Sequence, residues 1–235
     1  MAVSLVPSID DRVSDWIVSL RRDQIEHWKR LNCFTITLSR EFGCEAYPLA
    51  VKLKERLEKL TGEDWNIFDR ALIEKVRVEH GLAEELLSNL GKRPGFIEKL
   101  IAKRQPSWKE KTEAYKFLAK AIYSISSEGR AIIVGCGAAV ITQNIRHAYH
   151  FRLVASEEFR IKSIARRTEV PYSEAETMVS TRQKERARFF KNFLQSEAND
   201  QQYFHAVYNN DKLPVERIAE NIVAVIKSVR PLSCS

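Results

Sequence analysis

The chain has 235 residues, 44% of them hydrophobic, with 8 glycines, 7 prolines and a formal charge of +7. That length and apolar content suffice for a full core, most simply one domain with an insertion. No apolar run reaches the roughly 20 residues needed to cross a bilayer, and the opening Met-Ala-Val-Ser-Leu-Val-Pro lacks the basic start and long apolar core of a signal peptide, so a cytoplasmic protein is expected.

In chain order, residues 8–28 read as a helix. Ser8 and Asp11 suit a capping box, and Val13, Trp16, Ile17 and Leu20 recur on one face. That apolar face needs a partner, either the core or a second subunit, which leaves room for a homodimer. Residues 33–39 alternate, with Phe34, Ile36 and Leu38 on one side, as in a strand. Leu49, Leu53, Leu57 and Leu60 fall at helical spacing up to Thr61-Gly62. Residues 65–68 form a second short strand, with a helix from Asp69-Arg70. Residues 81–127 are mostly helical, broken at Gly91, Pro94-Gly95 and Pro106. Ala131-Ile132-Ile133-Val134 is a strand apolar on both faces, the mark of a parallel sheet. A strand over 149–154 is followed by a helix capped by Ser156. Ser173 and Glu176 suggest a second capping box before a helix to about Leu194. A last strand over 206–208 precedes a helix opened by Pro214, with Ile218, Ile222, Val225 and Val229 on its buried side.

Strands alternating with helices imply a parallel sheet with right-handed crossovers and helices on both faces. Ligands bind such sheets beyond the carboxyl ends of the strands. The loops after Leu38, Phe68, Val134 and Val154 should therefore share one cleft. The loop after the first strand, Ser39-Arg40-Glu41-Phe42-Gly43-Cys44-Glu45-Ala46-Tyr47-Pro48, stands between a strand and a helix, where backbone N–H groups and a helix N-terminus make an anion site. From Arg152 to Lys191 there are ten Lys/Arg against six Asp/Glu, a local +4. Such a segment attracts phosphate or forms a solvated, salt-bridged helix pair.

Other chemistry is thinly represented. The four cysteines, Cys33, Cys44, Cys136 and Cys234, form no Cys-x-x-Cys pair, so a structural zinc is not expected. Cys44 and Cys136 read as small residues in tight turns. His147 and His150 flank a strand entry, share no face and have no carboxylate cluster beside them, so no metal site is expected. No Ser-His-Asp arrangement is present. Trp65 and Trp108 read as core or interface residues.

The segment Ile36-Thr37-Leu38-Ser39-Arg40-Glu41-Phe42-Gly43 resembles the opening of the cytidylate kinase-like family. Ile67-Phe68-Asp69-Arg70-Ala71-Leu72-Ile73, Ile132-Ile133-Val134-Gly135-Cys136-Gly137-Ala138, Phe151-Arg152-Leu153-Val154 with the residues to Ile161, Lys184-Glu185-Arg186-Ala187 and the stretch ending Asn209-Asn210 resemble later pieces of it, in order, over 33–229. The resemblance implies an α/β fold, a P-loop kinase-like three-layer sandwich with a five-stranded parallel sheet, a helical lid and an additional N-terminal helix. It implies an N-terminal extension over 1–32 and a kinase-like domain over 33–235, with a helical nucleoside-monophosphate-binding insertion at about 81–127 and a lid at about 156–195. It implies lid contacts from Arg160, Arg186 and Arg182 to the transferring phosphoryl group, and phosphate or nucleotide contacts from Ser39, Arg40, Gly43, Asp69, Arg70 and Gly135. ATP with Mg2+ would be the cofactor of an active enzyme, and CMP or a related nucleotide the acceptor.

The departures matter as much. Glu45-Ala46 replace the family's Gly-Gly pair, Tyr47 replaces its basic residue, Pro48 stands at a position that is polar in P-loop enzymes, and Cys136 replaces an arginine. A glutamate opposes an anionic ligand, and Tyr47 cannot balance phosphate charge. Two readings follow: a weak nucleoside-monophosphate kinase, or a non-catalytic module binding a nucleotide, another phosphate-bearing small molecule or a protein, with no cofactor. No recognised motif supports nucleic-acid binding.

Overall fold

The computed structural model describes residues 8–12, 33–79, 109–194 and 200–229. The expected breaks at Gly91, Pro94-Gly95 and Pro106, the position of Trp108, the residue Cys234 and most of the N-terminal helix, including Trp16, Ile17 and Leu20, lie outside the described residues.

Five strands form one parallel sheet: β1 (Thr35–Arg40), β2 (Asn66–Asp69), β3 (Ala131–Val134), β4 (Ala148–Val154) and β5 (Ala206–Asn209), in the spatial order β2-β3-β1-β4-β5. The pairings run in parallel register, with Ile36 beside Ile132 and Tyr149, and Leu153 beside Arg40 and Tyr208. Strand alternation divides the core in two. Phe34, Ile36 and Leu38 of the first strand region, with Ile132, Val134, Phe151 and Leu153, face helices α1 (Ala46–Thr61) and α7 (Val215–Val229). Ala131, Ile133 and Phe68 face α2 (Arg70–Glu79), α3 (Lys109–Glu128) and the short α4 (Ala138–Ile141). This is a three-layer α/β sandwich. Each fully buried Leu or Ile contributes about 1.5–3 kcal/mol of burial. Trp65 is a core residue, edge-on to Phe34, with its indole N–H donating to Thr61 Oγ1 at 3.2 Å.

Helix ends follow local chemistry. Gly62, in the left-handed region, closes α1 by donating to Glu58 O. Ser156 Oγ accepts from the Phe159 N–H and starts α5 (Glu157–Thr168). Ser8 Oγ likewise accepts from the Asp11 N–H. Two expectations need correction. Helix α6 (Tyr172–Phe189) begins a turn's fraction earlier than the Ser173–Glu176 box, because Pro171 sits at the cap position and its carbonyl accepts from Glu174 and Ala175. The helix then widens into a π-turn over Phe190–Leu194. In α7 the buried stripe is Val215, Ile218, Ala219, Ile222 and Ile226, at spacings of three and four, and it ends before Val229, which is 57% exposed. Helices α5 and α6 form a hairpin with its own small core of Ile161, Ile164, Ala175 and Val179.

One polar set crosses the sheet, with Thr37 and His150 buried and His205 exposed at its end. Thr37 Oγ1 lies 2.8 Å from His150 Nδ1, the His150 N–H donates to His205 Nδ1 at 3.0 Å, and the two imidazoles stand 5.5 Å apart. Burial, then His205, push His150 down to about 3, and burial also lowers His205. Between pH 6.5 and 3 the unfolded chain binds the proton that folded His150 refuses, so stability rises with pH across that window and is lost as pH falls through it. Urea unfolding should show that loss at up to about 1.4 kcal/mol per pH unit, and His150→Gln should flatten it. An unchanged profile in the variant would contradict this account.

Candidate active site

The carboxyl ends of β1, β3 and β4 meet at one edge of the sheet, where Ser39 pairs with Arg152 and Arg40 with Leu153. The loop from Glu41 to Glu45 closes on itself and on its neighbours. The Glu41 N–H donates to Leu153 O at 3.1 Å, Phe42 N–H to Gln183 Oε1 at 3.2 Å, Cys44 N–H to Glu41 O at 3.2 Å, and Glu45 N–H to Asn210 Oδ1 at 2.8 Å. These are amides that an anion cradle would otherwise turn toward a ligand. Gly43 has φ +102°, and a Cβ there would stand 2.5 Å from Arg160 Cβ and 2.8 Å from its Cα. Helix α5 therefore rests directly on the loop, and only glycine allows that approach.

Arginines surround this loop. Arg160 donates to Ala155 O at 3.3 Å and to Phe42 O at 3.5 Å. Arg167 donates to Gly43 O at 3.2 Å, and Arg166 pairs with Glu45. Arg186 donates to Ser39 Oγ at 2.9 Å, its guanidinium stacked on Phe190 at 4.7 Å. Glu41 is a second carboxylate among them, after Glu45. It lies 3.8 Å from both Arg152 and Arg160, and its Oε2 accepts the Ala155 N–H at 3.1 Å. Burial lowers Arg152, and burial with the charges of Arg152 and Arg40 lowers Arg186. Like charges are thus packed together in partly desolvated surroundings.

Arg40 turns the other way. A Cβ on Gly135 (φ +83°) would fall 1.6 Å from Arg40 Nη1, so its guanidinium covers the turn after β3. Burial lowers it, while Cys136, Asp69 and Cys44 oppose that shift. Asp69 Oδ1 accepts the Leu72 N–H at 2.9 Å, capping α2, and pairs with Arg12 at 3.1 Å. Cys44 and Cys136 are both pushed up to about 12 by burial, so both are neutral thiols at physiological pH.

Of the residues singled out in the sequence, Ser39, Arg40, Gly43, Asp69, Gly135, Arg160 and Arg186 gather at this edge. Arg70 and Arg182 do not: they pair with Glu74 and Glu185 and their side chains are 65% and 60% exposed. The basic segment divides accordingly, with Lys162 and Arg182 in solvated pairs and Arg160, Arg166, Arg167 and Arg186 on the loop. The sequence reading missed Arg152, whose signal was strand alternation: Phe151 and Leu153 enter the core, so Arg152 takes the other face. It also missed Arg12, Asn210 and the centring role of Glu41.

The donors do not fit a magnesium ion held by the protein. Ser39 Oγ receives Arg186, the Asp69 carboxylate is taken by Arg12 and Leu72, and Pro48 offers no side-chain oxygen. Among the described residues no three His, Cys, Asp or Glu cluster as ligands. No helix of the described residues is long and apolar enough to cross a membrane.

A family model described as the cytidylate kinase-like family matches residues 35–212. No curated protein matches the chain. Among solved structures, an uncharacterised protein from Eubacterium ventriosum aligns with a TM-score of 0.62 at 18% identity, covering 84% of this chain and 99% of that one. A shikimate kinase from Bacteroides thetaiotaomicron aligns at 0.42 and 13% identity, covering 85% and 99%. A gluconokinase from Sinorhizobium meliloti aligns at 0.45 and 11%, covering 86% and 96%.

Replacing Glu41 by Gln removes the carboxylate that faces two buried or half-buried arginines. Urea denaturation should report a loss of about 2–3 kcal/mol, because breaking such a pair strands its partners' charge. A variant as stable as the parent contradicts the centring role of Glu41.

Proposed function

Since this chain belongs to the cytidylate kinase-like family, we propose that it is a cytoplasmic nucleotide-binding protein whose phosphoryl transfer from ATP to an acceptor such as CMP is slow. The observation that carries the binding half is the cluster of Arg152, Arg160, Arg167 and Arg186 around the loop that bears the carboxylates of Glu41 and Glu45. Guanidinium groups held close in poor solvent are stabilised when an anion joins them, and bidentate contact to phosphate is what arginine does best. Arg160 and Arg186 would neutralise phosphate oxygens, and the α5–α6 hairpin would exclude water above them.

The slowness follows from the loop. Phosphoryl transfer is mainly positioning and charge stabilisation. Here four loop amides donate within the protein, Glu45 adds a negative charge, Tyr47 supplies no cation and Pro48 no donor. Losing one well-placed stabiliser costs about 2.7–4 kcal/mol, a hundredfold to a thousandfold in rate. No step is assigned to magnesium, since the side chains at the strand ends are already engaged.

The same loop geometry favours a second reading, a non-catalytic module that binds a nucleotide, another anion or a protein. Titration with ATP, with and without Mg2+, separates the two: tight magnesium-dependent binding favours the enzyme, and no ATP binding favours the module. In a coupled assay with CMP, dCMP, UMP and AMP, turnover should lie well below about one per second, the low end for kinases. Turnover at or above that rate with any acceptor contradicts the proposal.

A further inference from the structure

Arg12 comes from the short helical turn before the sheet, yet its side chain is only 8% exposed. It sits 3.1 Å from Asp69 at the end of β2, and its guanidinium lies over the ring of Tyr47 at 5.2 Å. Tyr47 is the second residue of α1, and the first turn of that helix, Ala46-Tyr47-Pro48-Leu49, carries no Lys or Arg. The N-terminus of a 16-residue helix attracts anions, and its field is felt within the first turn. Arg12 Nε is buried and has no hydrogen-bond partner among the described residues. Burying an arginine with a donor unspent costs free energy that one ion pair to Asp69 offsets only in part.

We propose that Arg12 is a ligand-binding residue: a cation brought in from outside the sheet to contact a phosphate group at the first turn of α1, with Asp69 and the Tyr47 ring holding it ready. The cation–π contact fixes the guanidinium plane, and the Asp69 pair fixes its height over the strand ends. The cleft then has arginines on two sides. Arg12 and Arg40 stand on the β2–β3 side, and Arg160 and Arg186 on the α5–α6 side. Such a site takes a ligand with more than one phosphate group in preference to a single phosphate. This inference rests on the reading that the cleft holds a phosphate-bearing ligand.

The test uses the full chain and inorganic pyrophosphate as probe, followed by isothermal titration, with inorganic phosphate for comparison. The parent should bind pyrophosphate more tightly than phosphate. Arg12→Gln keeps a hydrogen-bonding group for Asp69, and should weaken pyrophosphate at least tenfold; adding Tyr47→Lys should restore most of that loss. Pyrophosphate affinity unchanged in a folded Arg12→Gln protein overturns the role of Arg12 and leaves the binding reading standing. Failure of the parent to bind either anion overturns both. Should Arg12→Gln fail to fold, Tyr47→Lys in the parent carries the test: at least threefold tighter pyrophosphate binding supports a ligand at this turn, and no change overturns it.

Discussion

The Glu41 carboxylate ties together the edge of the sheet where the strands end. It stands 3.8 Å from Arg152 on β4 and from Arg160 on α5, and accepts the N–H of Ala155 between them. Its own backbone N–H meets Leu153 O and its carbonyl receives the N–H of Cys44. One residue thereby ties the loop after β1 to the end of β4 and to the first turn of the α5–α6 hairpin. Arg152 is buried at the sheet edge and its charge acts on Arg186, so the Glu41 carboxylate offsets like charge gathered there. The closeness of α5 to Gly43 depends on the same anchor, since the hairpin meets the loop at Arg160.

The anchoring has a chemical consequence. A loop whose amides are satisfied from within is stable without ligand, and for the same reason is a weak cradle for phosphate. Positive charge has moved from the backbone to side chains that surround the loop: Arg160, Arg166 and Arg167 from α5, Arg186 from α6 and Arg152 from β4. Guanidinium groups can bind phosphate without the positioning that transfer demands. On the proposed reading, binding and transfer, which share one loop in an unaltered P-loop, come apart in this protein.

Much of the fold was legible in the residues. Apolar alternation marked β1, the unbroken Ala131–Val134 run marked a strand buried on both faces, and Ser156 and Gly62 marked helix ends through their own chemistry. The start of α6 was misread because Pro171, with its fixed φ, took the cap position ahead of a Ser–Glu pair that looked suitable. Val229 was misread because the buried stripe of α7 runs through Ile226, so the last turn leaves the core. At the site, residues adjacent to a recognisable motif could be placed. Arg12, Arg152 and Asn210 could not: Arg152 and Asn210 reach the loop from β4 and from just after β5, Arg12 reaches Asp69 and Tyr47 from ahead of the sheet, and only tertiary packing brings them there. Arg70 and Arg182 show the converse: motif position alone does not fix where a long side chain on an exposed helix points.

The most direct measurement of the central claim, that arginines around Glu41 form the phosphate seat, is a crystal structure of the protein soaked with ATP and CMP. The account predicts phosphate oxygens within hydrogen-bond distance of Arg160 and Arg186, at the carboxyl ends of β1 and β4, with the Glu41 contacts to Arg152 and Ala155 retained. Phosphates bound elsewhere on the molecule, with Arg160 and Arg186 still facing only the loop, would contradict it.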